Sequence, residues 1–279
     1  MGLDIYHRRL DSPISNAKTI AAATMVIGVL SWWVIVDFPC DATFLTPEER
    51  AIVYHRLEAD GQHGARDEKF QWSEFWASFE DWKTWTGMLM YMGVDGALYA
   101  FSLFLPSVIF EMGFTALNAQ LMSVAPYAFA CVLTVIIGYL ADKSEQRGSF
   151  NMAISALGAL GFLILAVSRN AGLSYFATFL GAAGIYVCIP NTISWVSNNC
   201  DGVYRRGVTV GAVIAWGNMN GVVSSNIYRQ NDAPWYRMGH WIVFVYMGFF
   251  LFGGSVLNYV CLKIANRKRG GENGRLFTL

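Results

Sequence analysis

Residues 87–110 read Gly-Met-Leu-Met-Tyr-Met-Gly-Val-Asp-Gly-Ala-Leu-Tyr-Ala-Phe-Ser-Leu-Phe-Leu-Pro-Ser-Val-Ile-Phe, with one formal charge, Asp95. A bilayer's hydrocarbon core is about 30 Å thick, and a helix needs about 20 apolar residues to cross it. Strands of a membrane barrel are about half that length and alternate polar with apolar residues. The stretch does neither, so it reads as a spanning helix. Six further stretches share the pattern: 19–36, 119–141, 150–168, 174–197, 207–228 and 240–262. None of these six contains an Asp, Glu, Lys or Arg. The expectation is an all-α integral membrane protein with seven transmembrane helices.

The whole-chain composition agrees. Of 279 residues, 54% are hydrophobic and 14% charged. Soluble domains carry about 25% charge. These values exclude a disordered chain, a coiled coil and an ordinary cytosolic enzyme. Lys+Arg and Asp+Glu are both 20, so no charge excess points to nucleic acid. The stretch 19–36 follows a polar run and ends in Trp32 and Trp33, unlike the short apolar core of a signal peptide. A spanning helix is the favoured reading over a cleaved leader.

Basic residues orient such a chain, because they accumulate on the cytoplasmic side. With the C-terminus inside, the inner segments hold 14 Lys/Arg and the outer ones six. The expected map is therefore an external N-terminus with the first helix over 1–36. A cytoplasmic loop over 37–86, a six-helix bundle over 87–262 and a basic cytoplasmic tail over 263–279 follow. On this map Cys40 and Cys200 are cytoplasmic and Cys131, Cys188 and Cys261 lie in helices. No external disulfide is expected, and the spacings match no zinc or haem pattern.

The loop 37–86 carries its own signals. Thr46-Pro47-Glu48-Glu49 is a helix start: a hydroxyl cap, Pro in the first turn and Glu three residues on. That helix is expected to run to Gly61. Trp72, Phe75, Trp76, Phe79 and Trp82 then recur at steps of three and four, opposite Glu74, Ser78 and Asp81. This is an amphipathic helix, suited to the lipid headgroup layer or, alternatively, to a partner protein.

Catalytic motifs are absent: no phosphate-binding glycine loop, no His-Glu-x-x-His, no serine triad in context. His55 and Asp60 belong to a charged helix and read as a solvated face; His7, His63 and His240 are isolated. An enzyme is not expected, nor a metal or other cofactor. Polar residues within the apolar stretches are more informative. Asp95 is the single carboxylate at membrane depth, where an ionised group costs at least about 2.5–3.5 kcal/mol. Such a group faces a cavity or a partner, or is held structurally. Asn191 follows Pro190, and Asn218, Asn220 and Asn226 crowd the stretch 207–228. Interhelical hydrogen bonding accounts for some of these without a ligand.

Two sets of motifs carry a family resemblance. Gly138-Tyr139-Leu140-Ala141-Asp142-Lys143, then Arg147-Gly148, resembles the cytoplasmic loop signature of the major facilitator superfamily, in its copy between helices eight and nine. Ser194-Trp195-Val196-Ser197-Asn198-Asn199, Tyr204-Arg205-Arg206, Gly217-Asn218, Gly221, Ile227-Tyr228, Asp232-Ala233-Pro234 and Gly239-His240 resemble helices ten to twelve of the fungal allantoate permease family, the anion:cation symporters. Asp37-Phe38-Pro39 with Thr43 to Arg50 resembles that family's central loop, and Tyr99 with Ser102-Leu103-Phe104-Leu105-Pro106 its helix seven.

The resemblance implies helices 6–12 of a twelve-helix fold, a chain holding the C-terminal half of a transporter. It implies carriage of a small organic anion of the nicotinate, allantoate or pantothenate kind, coupled to H+, across the plasma membrane. Asp95 would be the proton or cation site. Tyr99, Asn191, Asn218 and Asn220 would donate hydrogen bonds to the anion, and Trp195 would form a wall. Gly138, Asp142 and Arg147 would govern conformational exchange. The expected partners are the substrate and H+, the lipid bilayer, and a separate N-terminal half or a second transporter chain. The alternatives are a non-transporting remnant or regulatory membrane protein that pairs with a full transporter, and a seven-helix receptor. The receptor is disfavoured because no Asn-x-Ser/Thr and no external Cys occur.

Overall fold

In the computed structural model the described residues are 21–32, 34–35, 42, 44–59, 72–233, 235–269 and 276–279. The expectations placed on 1–18, on Asp37-Phe38-Pro39, on Cys40 and on 60–71, with Gly61 and His63, lie outside them. The chain divides into two units, Met1–Lys69 and Phe70–Leu279.

Among its described residues the first unit contains two helices, α1 (Ala21–Trp32) and α2 (Pro47–Ala59). The cap read from the sequence is formed at α2. The Thr46 amide donates to Glu49 Oε2 at 2.9 Å, and the Glu49 amide donates to Thr46 Oγ1 at 3.3 Å. These bonds satisfy donors that a helix's first turn leaves open. The Thr46 amide, and secondarily its hydroxyl, hold the Glu49 carboxyl below its ordinary pKa.

The second unit is a helix bundle. Its elements are α3 (Trp72–Glu80), α4 (Trp82–Glu111), α5 (Ala116–Ser144), α6 (Arg147–Val167), α7 (Ala171–Asn198), α8 (Val203–Asn218), α9 (Asn220–Ser224) and α10 (Arg237–Arg269). No strand occurs among the described residues. α4 is the hub and packs on α5, α7, α8, α9 and α10, while α6 packs on α7 and α10. Glycines set the closest approaches. A Cβ on Gly158 would meet Met247 and the Cα of Gly184, so α6 and α7 touch backbone to backbone there. Small residues permit such contact between membrane helices, where dispersion replaces the hydrophobic drive.

Five helices among the described residues are long and apolar enough to cross a membrane: α4, α5, α6, α7 and α10. The other two stretches take different forms. α1 is a shorter apolar helix. The stretch 207–228 is divided between α8 and α9 at Met219, which keeps right-handed helical angles. The Asn220 side-chain amide donates to the carbonyls of Trp216 and Gly217 at 3.3 and 3.2 Å. Asn side chains compete in this way with the helical ladder.

α10 also departs from regularity. Tyr246–Gly253 is wound as a π-helix, with five-residue rather than four-residue hydrogen-bond spacing. Gly93 of α4 faces this segment: a Cβ there would lie 2.5 Å from the Leu251 amide nitrogen.

α3 is amphipathic as expected, with a particular orientation. Trp72 and Trp76 are 67% and 62% exposed. Ser78 is buried and donates to the Glu74 carbonyl at 2.9 Å. Asp81 caps α4 through the Lys83 amide and pairs with Lys83 and Arg205 at 3.2 and 2.9 Å. Ser78 and Asp81 are therefore turned toward the bundle, where α3 packs on α8, while Glu74 is exposed together with Trp72 and Trp76.

Candidate functional site

Asp95 sits one residue before Gly96, midway along α4. Tyr91, Asp95 and Tyr99 recur every four residues, so they share one face of that helix. That face meets α8, α9 and the π-helical part of α10. Asp95 is 2% exposed, and its Oδ2 is buried without a hydrogen-bond partner. Gly217 of α8 makes room for it. A Cβ on Gly217 would collide with the Tyr91 ring and stand 3.0 Å from that Oδ2.

The neighbouring polar groups are arranged around this carboxyl. The Tyr99 hydroxyl donates to Asn218 Oδ1 at 2.7 Å. The Tyr246 hydroxyl donates to Asn220 Oδ1 at 3.2 Å. Ser224 Oγ lies 3.0 Å from the Gly96 carbonyl, which it can reach as a donor, and so ties α9 to α4. One turn beyond Tyr99, Ser102 Oγ and the Tyr186 hydroxyl of α7 lie 3.0 Å apart. Asn218 and Ser102 are exposed. Of the sequence-selected residues, Asp95, Tyr99, Asn218 and Asn220 are thus brought together.

Asn191 and Trp195 belong to a different place, the end of the bundle where α5 meets α6 and α7 ends. Asn191 is buried; its amide donates to the Arg147 carbonyl at 2.9 Å and to Asn151 Oδ1 at 3.1 Å. Arg147 donates to Asn191 Oδ1 at 3.4 Å and is paired with Asp142. The loop signature is thus physically joined to Asn191. Gly138 lies apart on α5, where a Cβ would meet open space. Trp195 is fully buried and donates from Nε1 to the Thr278 carbonyl at 3.0 Å. It is a wall, but of this second cluster and not of the surroundings of Asp95.

Three participants escaped the sequence reading. Tyr91 and Tyr246 look like ordinary aromatic residues of apolar helices; the four-residue spacing from Asp95 was the available signal for Tyr91. His240 is not isolated: its Nδ1 lies 2.9 Å from the Tyr228 hydroxyl, both side chains being buried. No group of three metal-ligating side chains occurs among the described residues.

Five long apolar helices, one of them holding a buried carboxyl, mark an integral membrane protein. Comparison with known proteins gives the family. The Major Facilitator Superfamily model matches residues 17–225, and the chain belongs to that superfamily. It is 32% identical over 220 residues to an uncharacterized transporter of Schizosaccharomyces pombe, covering 77% of this chain and 45% of that protein. It is 31% identical over 233 residues to the MFS transporter prlL of a fungal species, covering 82% and 46%. It is 29% identical over 212 residues to the high-affinity nicotinic acid transporter of Saccharomyces cerevisiae, covering 76% and 40%. The chain spans a little under half the length of the curated relatives it matches.

Proposed function

We propose that this chain supplies one wall of the translocation cavity of a proton-coupled carrier for small organic anions, of the allantoate permease kind. The observation that carries the proposal is the buried Asp95 oxygen without a partner, set among Tyr99, Asn218 and Asn220. A carboxyl at this depth is expensive to ionise, so it exchanges protons in step with the occupancy of its surroundings. The exposed Asn218 amide and the Ser102 and Tyr186 hydroxyls then offer neutral hydrogen bonds to an anion. A nicotinate-class carboxylate fits this set, in keeping with the named substrate of one relative.

In this reading α1 and the α8–α9 stretch also cross the bilayer, giving seven spans equivalent to helices 6–12. The membrane is the plasma membrane, with the N-terminus outside and the C-terminus inside. Polar side chains exposed at membrane depth are costly against lipid. A second six-helix bundle covers them in the working assembly, since substrate sites in this fold lie between two halves. Asp142 and Arg147 control exchange between the inward and outward states.

The test is uptake of labelled nicotinate in yeast lacking its own nicotinate carrier. Expected is pH-dependent uptake when the chain is co-expressed with a segment supplying the five helices that precede α1 in the twelve-helix fold, and none from the chain alone. Equal uptake by the chain alone would overturn the half-cavity proposal. Absence of uptake by the pair for every small anion in a carboxylate panel would overturn the substrate class.

A further inference from the structure

The residues 276–279, Leu-Phe-Thr-Leu, lie across the end of the bundle that holds Arg147 and Trp195. Five of their main-chain polar groups are bonded, by Asn266 of α10, by Trp195 and Asn199 at the end of α7, and by the Gly148 amide of α6. The Phe277 amide donates to Asn266 Oδ1 at 2.7 Å, and Asn266 Nδ2 donates back to the Phe277 carbonyl at 2.9 Å. The Thr278 amide donates to Asn199 Oδ1 at 2.9 Å, and Asn199 Nδ2 donates back to the Thr278 carbonyl at 3.1 Å. The same carbonyl accepts from Trp195 Nε1, and the Leu279 carbonyl accepts from the Gly148 amide at 3.2 Å.

Two features mark this as a built site. Each Asn presents its amide as a strand edge would, one acceptor beside one donor, and so pairs with an extended peptide without reading its side chains. The start of α6 has no side-chain cap, and the Leu279 carbonyl satisfies one of its open amide donors. Selectivity comes from Phe277. Its ring lies 4.4 Å from Lys83 Nζ and 3.9 Å from the Arg269 guanidinium carbon, and it lines a cavity of about 620 Å³ with Asp81 and Arg205. Cations over an aromatic face contribute about 0.5–2 kcal/mol.

We propose that Asn199, Asn266, Trp195 and the Gly148 amide form a peptide-binding cradle. It takes an extended segment with an aromatic residue at the Phe277 position, and residues 276–279 of this chain occupy it in cis. The occupied cradle ties α6, α7 and α10 together at their common end, beside the Asp142–Arg147 pair. On the transporter reading, the occupied cradle holds the bundle in one conformation, and release of the segment frees it. Tethering supplies an effective concentration in the millimolar range, so a weak peptide affinity is enough for occupancy in cis.

The test is binding, not transport, so its failure is distinguishable from failure of the proposed function. A fluorescent Leu-Phe-Thr-Leu peptide amide is titrated onto purified chain in detergent, followed by anisotropy. The chain lacking 276–279 is expected to bind it saturably, at least about tenfold tighter than the full chain, whose cradle is already filled. Asn266→Ala in the shortened chain, and Phe277→Ala in the peptide, are each expected to abolish binding. As a second measurement, the full chain carrying Asn266→Ala is compared with the parent for maleimide labelling of Cys200, the other cysteines being replaced. Faster labelling is expected, because Cys200 adjoins Asn199 and is buried. No saturable binding to the shortened chain would overturn the proposal. So would binding indifferent to Asn266, or unchanged labelling of Cys200.

Discussion

Asn218 and Asn191 are the same residue type on helices of one bundle, and their surroundings are opposite. Asn218 is exposed and accepts one bond, from Tyr99. Asn191 is buried and joins Arg147 and Asn151 through three bonds. The contrast extends to their neighbours. Asp95 keeps a buried oxygen with no partner, whereas Asp142, Arg147, Trp195 and Asn199 are paired within the chain. Buried polar groups are ordinarily satisfied, so an orphaned acceptor calls for a physical account, which the proposed function supplies as a proton site. A saturated network has the converse meaning: it holds helices in one arrangement.

The largest test of this contrast is Asp95→Asn. If the unpartnered carboxyl carries the proton, the change should lower acid-stimulated uptake by about tenfold or more in the paired assembly. It should leave thermal stability in detergent unchanged or higher, because a group expensive to ionise has been replaced by a neutral one. A variant that melts early yet transports normally would move Asp95 into the saturated class.

Asn191→Ala is the mirror test. It removes one bond each from the Arg147 carbonyl and from Asn151 Oδ1, which keeps its bond from Thr192 Oγ1. Each lost bond is worth about 0.5–1.5 kcal/mol, so a lower melting temperature in detergent is the expected result. Nicotinate affinity of the paired assembly, measured by binding, should be unaffected. A selective loss of affinity with normal melting would return Asn191 to the substrate set.

The class of fold was legible because seven long apolar stretches hold a single formal charge, Asp95, between them, and the α2 cap because its residues are adjacent in sequence. The polar residues of the site were legible by their rarity in apolar runs. Their partition was not, since it depends on which helix faces which. Asn191 and Asn218 look alike in sequence, and only packing puts one beside Arg147 and the other beside Tyr99. The π-helical winding that begins at Tyr246 has no signal in the sequence, and neither does the close approach of Gly93 to it. The pairing of residues 276–279 with Asn199 and Asn266 spans up to 79 positions and is equally silent.

The smallest expected effect is a pH dependence at the saturated end. Cys200 lies in the turn between α7 and α8 and is buried. Burial pushes its thiol above the ordinary value. A bond with Thr209 and the nearby Lys83 oppose that shift, and Asp81 adds to it. The folded chain therefore holds the thiol proton more tightly than the unfolded chain does. The resulting stabilisation is fully present below the unfolded value, about 8.5, and is lost as pH rises through the higher folded one. The parent should lose melting temperature above about pH 8.5 more steeply than Cys200→Ser, with the two curves running parallel at lower pH. Parallel curves throughout would show that this thiol is open to water, and with it the end of the bundle that the saturated network is argued to close. Convergence of the two in the alkaline range would instead show that this thiol is shielded from water in the folded chain.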